Sequence, residues 1–212
     1  MKHLRFFVFV PLVIASALGQ TASHGRATGA PDSPEALVRS LYRRVVACPP
    51  YGDLEGRELK TFAPYLSKSL LQRFEFAHAC SKDWFRQHPA NDEKAPFGRS
   101  ESGPFSGANE RTGPMAFNIG RSEIENDGTH HVYVKLKWWE TSYDAADAIH
   151  HATVDRPVIW EVAPVVTREN GRFVLDDVIY LKDKDMDKEY RLSEVLAKGC
   201  DGGRWVGYRE QH

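Results

Sequence analysis

The chain has 212 residues, 42% hydrophobic and 27% charged, the balance of an ordinary globular protein. That composition excludes a disordered, collagen-like or multi-span membrane chain. Its 28 basic and 29 acidic residues give a net charge of -1, so no global field draws it to nucleic acid or anionic lipid.

Residues 1–19 read as a signal peptide. Lys2, His3 and Arg5 make a basic start, followed by an apolar run from Phe6 to Leu18. A helix of that length rises only about 20 Å, short of the roughly 30 Å hydrocarbon core, which argues against an uncleaved anchor. Ala17-Leu18-Gly19 suits signal peptidase and makes Gln20 the expected mature N-terminus. Loss of Lys2 and Arg5 leaves 26 basic against 29 acidic residues, a mildly acidic mature chain. The expected location is therefore periplasmic or secreted, with no stable membrane insertion after cleavage. Disulfides persist there. Cys48, Cys80 and Cys200 are odd in number, so one disulfide and one leftover thiol are expected, and all three pairings stay open.

Residues 20–33 are small and polar, a flexible leader. Ser33-Pro34-Glu35 is a helix start: hydroxyl cap, proline at the first helical position, and an acid at the positive dipole end. Leu37, Val38, Leu41, Tyr42 and Val45 recur at helical spacing until Cys48-Pro49-Pro50 ends the helix. A second helix is predicted from about Thr61 to Gln87, with Leu66, Leu70, Phe74, Ala77, Cys80 and Trp84 in one stripe. Residues 89–114 hold four prolines and four glycines without periodicity. Such a stretch is either a lid or mobile, and mobility is the expectation.

From Met115 the period becomes two. Met115–Glu125 leads to the turn Asn126-Asp127-Gly128, and His131–Trp139 sets Val132, Val134, Leu136 and Trp138 on one face. Residues 157–168 put Val158, Trp160, Val162 and Val166 opposite Ile159, Glu161, Ala163 and Val165, a strand covered on both sides. Asn170-Gly171 turns the chain into Arg172–Leu181, and Arg191–Lys198 is a short helix stopped by Gly199. The predicted class is α+β: about four antiparallel strands in a strongly curved sheet wrapped around two N-terminal helices, with residues 34–212 as one domain.

The run Phe173-Val174-Leu175-Asp176-Asp177-Val178-Ile179-Tyr180, then Leu192-Ser193, then Gly199-Cys200-Asp201-Gly202 with Trp205, resembles a family of exported bacterial proteins known as a domain of unknown function. Ala77-His78-Ala79-Cys80 and Pro96-Phe97 are similar to its N-terminal half. The resemblance spans roughly residues 34–208 and implies a cone of nuclear transport factor 2-like type, but no activity. The chain departs from the family at Ser102-Gly103-Pro104-Phe105 and by a longer insert at 143–156.

Asp183, Asp185, Asp187 and Glu194 imitate a calcium loop, yet Lys188 replaces its turn glycine and nearby lysines neutralise it, so a solvated loop is the better reading. His130 and His131 point to opposite faces of a strand and do not chelate together. Asp147, His150 and His151 sit in a polar insert without a zinc spacing. Hence no metal and no cofactor are expected. Asp176 and Asp177 lie mid-strand, so one of them is expected to face the interior, as a general base with a raised pKa or as a structural anchor. Candidate partners are Tyr42, Tyr65, His78 and Tyr180. No Walker loop, GxSxG, GxGxxG or CxxC motif is present.

These observations lead to a non-catalytic exported module that binds a small apolar ligand or a protein partner, with Tyr42, Trp138, Trp160 and Asp177 as pocket candidates. A homodimer through the sheet face is one form of that partnership. The rival readings are a cone-fold isomerase or dehydratase with Asp177 or Asp176 as base, and a periplasmic immunity or envelope-maintenance protein.

Overall fold

The computed structural model describes residues 31–89, 102–108, 113–143, 153–182 and 188–208. Residues 1–30, which the sequence reads as a signal peptide and most of a leader, lie outside them, as do the insert positions 144–152 and the acidic positions 183–187.

Helix α1 (Pro34–Ala47) begins as its sequence dictates. Ser33 Oγ accepts the Ala36 N–H at 3.1 Å, and Pro34 takes the first helical position. Its predicted stripe, Leu37 to Val45, is fully buried. The single helix expected over 61–87 is instead two. Helix α2 (Gly56–Phe62) passes into a 3-10 turn at Ala63–Tyr65, and α3 (Lys68–Gln87) starts afresh. Leu66 between them is extended and bridges to Leu175, while the Ser67 N–H donates to Leu175 O at 2.7 Å. Ser67 Oγ then accepts the Leu70 N–H at 2.9 Å. A serine cap tied to the sheet outweighs an unbroken apolar period. The rest of the predicted stripe, Leu70, Phe74, Ala77, Cys80 and Trp84, is buried along α3.

Five antiparallel strands follow in the order β1 (Ala116–Ile124), β2 (His130–Tyr143), β3 (Thr153–Glu169), β4 (Arg172–Tyr180) and β5 (Tyr190–Arg191). Helix α4 (Leu192–Ala197) and a small pair, β6 (Cys200–Asp201) with β7 (Arg204–Trp205), come after. The class is α+β. The strand beyond the expected four, β5, has two residues, too few for alternation to register. Asn170 (φ 51) and Gly171 (φ 77) both take the left-handed conformation that the tight β3–β4 turn demands.

The sheet is not strongly curled, contrary to the expectation of a tight wrap. Sharp bending needs bulges or kinks. Strands β2 and β3 keep one register from His130 opposite Val166 to Tyr143 opposite Thr153. Among the described residues, register shifts occur only between Ile119 and Ser122 on β1, and on β4 between Leu175 and Asp177 opposite Val165 and Val166.

One face carries Val132, Val134, Leu136, Val162, Val166 and Leu175 into a core shared with the helices. The outer face holds a smaller cluster of Ala163, Val165 and Ile179 with Tyr133 and Leu181. Strand β3 is thus apolar on both sides, as its sequence reads. Among the described residues, no helix is long and apolar enough to cross a membrane.

Candidate functional site

Tyr42 and Trp160 were expected to line a pocket; they converge, but on the chain itself. The Tyr180 hydroxyl donates to Pro104 O at 2.7 Å, the Tyr42 hydroxyl to Phe105 O at 2.6 Å, and the Trp160 indole N–H to Ser106 O at 2.7 Å. Three groups from α1, β3 and β4 therefore hold three consecutive carbonyls. The Phe105 ring is fully buried, 5.0 Å from the Phe62 ring and 6.1 Å from that of Phe74.

Residues 102–108 form a closed turn that fits this space as a wedge. Gly103 N–H donates to Ala108 O at 2.9 Å, and Gly107 N–H to Gly103 O at 2.7 Å. Gly107 has φ +67, and a Cβ there would stand 2.8 Å from the Tyr180 ring, so only glycine fits. Residues 89–114 read as mobile from sequence; positions 102–108 are instead a built part of the core. The signal for this was a bulky apolar residue framed by two glycines, Gly103-Pro104-Phe105-Ser106-Gly107, in a stretch without periodicity.

Burial pushes the Tyr42 hydroxyl pKa well above its ordinary value. Burial does the same for Tyr180, helped by Tyr190, Tyr42 and Asp177 nearby. Both therefore stay protonated donors. An unfolded tyrosine ionises near pH 10, so this stabilisation is complete below about pH 10 and is lost as pH climbs beyond it. Thermal midpoints should hold up to about pH 10 and then fall. A Tyr42→Phe, Tyr180→Phe double variant should fall less steeply there; an equal slope would show that these hydroxyls carry none of it.

Asp177 does not face the interior. The bulge between Leu175 and Asp177 uncouples the acids from the alternation, so both line an outer-face depression of about 370 Å³ with Glu125, Asp127, His131 and Arg191. Asp177 is buried and accepts the Val178 N–H at 2.8 Å, the Ser193 N–H at 3.0 Å and the Ser193 hydroxyl at 2.6 Å. Arg191 Nη1 stands 3.7 Å away. The carboxylate thus fastens the start of α4 to β4, as a structural anchor. Asp177→Ala should cost about 2–3 kcal/mol by leaving the Ser193 donors unpaired, read as a lower denaturant midpoint with an unchanged slope.

Trp138, the remaining candidate, is half-buried where the inner face runs out, paired in register with the exposed Val158. His130 and His131 diverge as expected. The His130 ring meets Phe173 edge-on at 5.8 Å, while His131 Nδ1 lies 3.3 Å from Glu125 Oε1. Of the other candidate partners, the Tyr65 hydroxyl accepts from Ser40 Oγ at 3.5 Å, and His78 Nε2 lies 3.3 Å from Glu55 Oε2. Among the described residues, no three His, Cys, Asp or Glu side chains gather as metal ligands. Asp147, His150, His151 and the calcium-like positions 183–187 fall outside those residues.

Cys80 and Cys200 form a disulfide across 120 positions, with Cα atoms 6.0 Å apart, and Cys48 is an exposed free thiol. One bridge and one thiol is the expected count, and the structure selects the pair. The bridge lies between Trp84 and Trp205, and the Trp205 N–H donates to Asp83 Oδ2 at 2.8 Å.

The outer face offers a second depression, of about 420 Å³, lined by Tyr133, Lys135, Ile159, Glu161 and Leu181 among others. Arg121 stands 3.7 Å over the Tyr133 ring, and Lys137 Nζ 3.9 Å over Trp139. Comparisons with protein-family models, curated proteins and solved structures returned no match for this chain.

Proposed function

We propose that the chain is an exported, non-catalytic binding module that engages a protein partner through the outer face of its sheet. The observation that carries this reading is the occupied interior: Phe105 fills the space where an apolar ligand would sit. The working surface then lies outside. Trp139 and Ile159 are 41% and 61% exposed there, beside Lys135, Lys137 and Glu161. An aromatic and an aliphatic anchor inside a charged rim is the anatomy of a protein interface. Export is supported by the basic start, the short apolar run of residues 6–18 and the disulfide. The nuclear transport factor 2-like relation belongs to the same proposal, supported by helices laid on one face of an antiparallel sheet.

The test is a photo-crosslinking residue placed at Ile159 in the full chain within a bacterial host, with Arg39, exposed on the solvent side of α1, as the control position. A discrete adduct from position 159 alone, identified by mass spectrometry, is expected. Two linked copies would mean a homodimer through the sheet face, and a different protein would mean a heterologous partner. No adduct, or the same products from both positions, would remove the outer face from the reading. Sequencing the mature N-terminus tests export separately: Gln20 is expected.

A further inference from the structure

The three groups on the wedge share a property that the outer-face reading leaves unused. They come from elements far apart in the chain, yet all donate to main-chain carbonyls and to three in succession, at Pro104, Phe105 and Ser106. Contacts to main-chain carbonyls recognise a peptide whatever its sequence, and a side-chain pocket adds selectivity. Here that pocket is the aromatic nest of Phe62 and Phe74 around the Phe105 ring. An empty interior would strand the two buried hydroxyls of Tyr42 and Tyr180 without acceptors, so the occupant has to present acceptor oxygens, as the carbonyls of residues 104–106 do. The wedge closes on itself through Gly103, Gly107 and Ala108, so its shape is set largely by its own hydrogen bonds.

We propose that the interior is a recognition site for a short peptide bearing phenylalanine, and that residues 104–106 occupy it in cis. Tyr42, Trp160 and Tyr180 read the backbone, and Phe62 and Phe74 receive the ring. The wedge is then an internal ligand that keeps the site closed. The proposal is independent of the outer face, and its test does not involve that surface.

Gly107→Val disfavours the seated wedge, because φ +67 strains a β-branched residue and its side chain would meet the Tyr180 ring, while the substitution removes none of the proposed binding groups. The probe is the end-capped synthetic peptide Ser-Gly-Pro-Phe-Ser-Gly, the sequence of residues 102–107. Titration calorimetry should show no binding to the unaltered chain and saturable binding to the variant. A peptide with alanine in place of phenylalanine should bind at least about tenfold more weakly, and so should the parent peptide once Tyr42→Phe is added. Equal binding of both peptides, equal binding by the unaltered chain, or no binding by a folded variant with its disulfide intact would overturn the proposal. If the variant does not fold alone, refolding it with millimolar peptide should restore soluble, oxidised protein. Failure to do so would count equally against it.

Discussion

Phe105→Ala should destabilise the fold by about 3–5 kcal/mol, the range for emptying a buried aromatic site in a packed core. The Phe105 ring is fully buried and touches aromatic residues from two helical elements. The removal leaves a void in the centre of the molecule, not at its margin. Collapse into that void is hindered, because the carbonyls on either side stay pinned by Tyr42, Tyr180 and Trp160. A chain of this size should lose about 10 °C or more in thermal midpoint. Phe105→Leu, which keeps most of the volume, should cost distinctly less. If alanine and leucine at position 105 gave equal, small changes, the wedge would not be part of the cooperative core.

Loss of the Cys80–Cys200 bridge should be comparable in size. A cross-link closing 120 positions restricts the unfolded chain by about 4–5 kcal/mol in the loop-entropy model, an upper value where the unfolded chain retains structure. Paired Cys80→Ser and Cys200→Ser substitutions should therefore lower the denaturant midpoint strongly. The folded state should respond locally. Trp205, which packs on the bridge and donates to Asp83, should gain freedom together with β6 and β7, seen as faster amide exchange over residues 199–208. Cys48→Ser should change neither measurement, since that thiol is exposed and unbridged.

The helices and strands were legible because each declares itself over a few turns or rungs. Leu37 to Val45 and Leu70 to Trp84 repeat at helical spacing, and Val132, Val134 and Leu136 alternate, so their burial follows from position alone. Two failures came from single residues acting on long-range partners. Ser67 breaks a continuous apolar stripe because it is capped and tied to Leu175 on a distant strand. One bulge residue on β4 then shifts Asp177 out of the interior, and strict alternation has no means of anticipating it.

The candidate site was half legible. Tyr42, Trp160 and Tyr180 stand out as aromatic residues with polar tips on inward faces. Their partner did not, because the wedge has no period of its own. Its role is set by contacts 63, 54 and 76 positions away in the chain. Local pattern decides where an element forms, but not which loop an interior admits.

The placement of the bridge also bears on how the molecule is assembled. A chain made from its N-terminus presents Cys48 and Cys80 while Cys200 is still unmade. Wherever oxidation begins before synthesis ends, the pair that forms first is the wrong one, and the native bridge must then arise by thiol–disulfide exchange. The exposed Cys48 thiol is thus the natural leaving partner in that exchange. Oxidative folding of this chain should depend on a disulfide isomerase as well as an oxidant, and Cys48 alone creates that dependence.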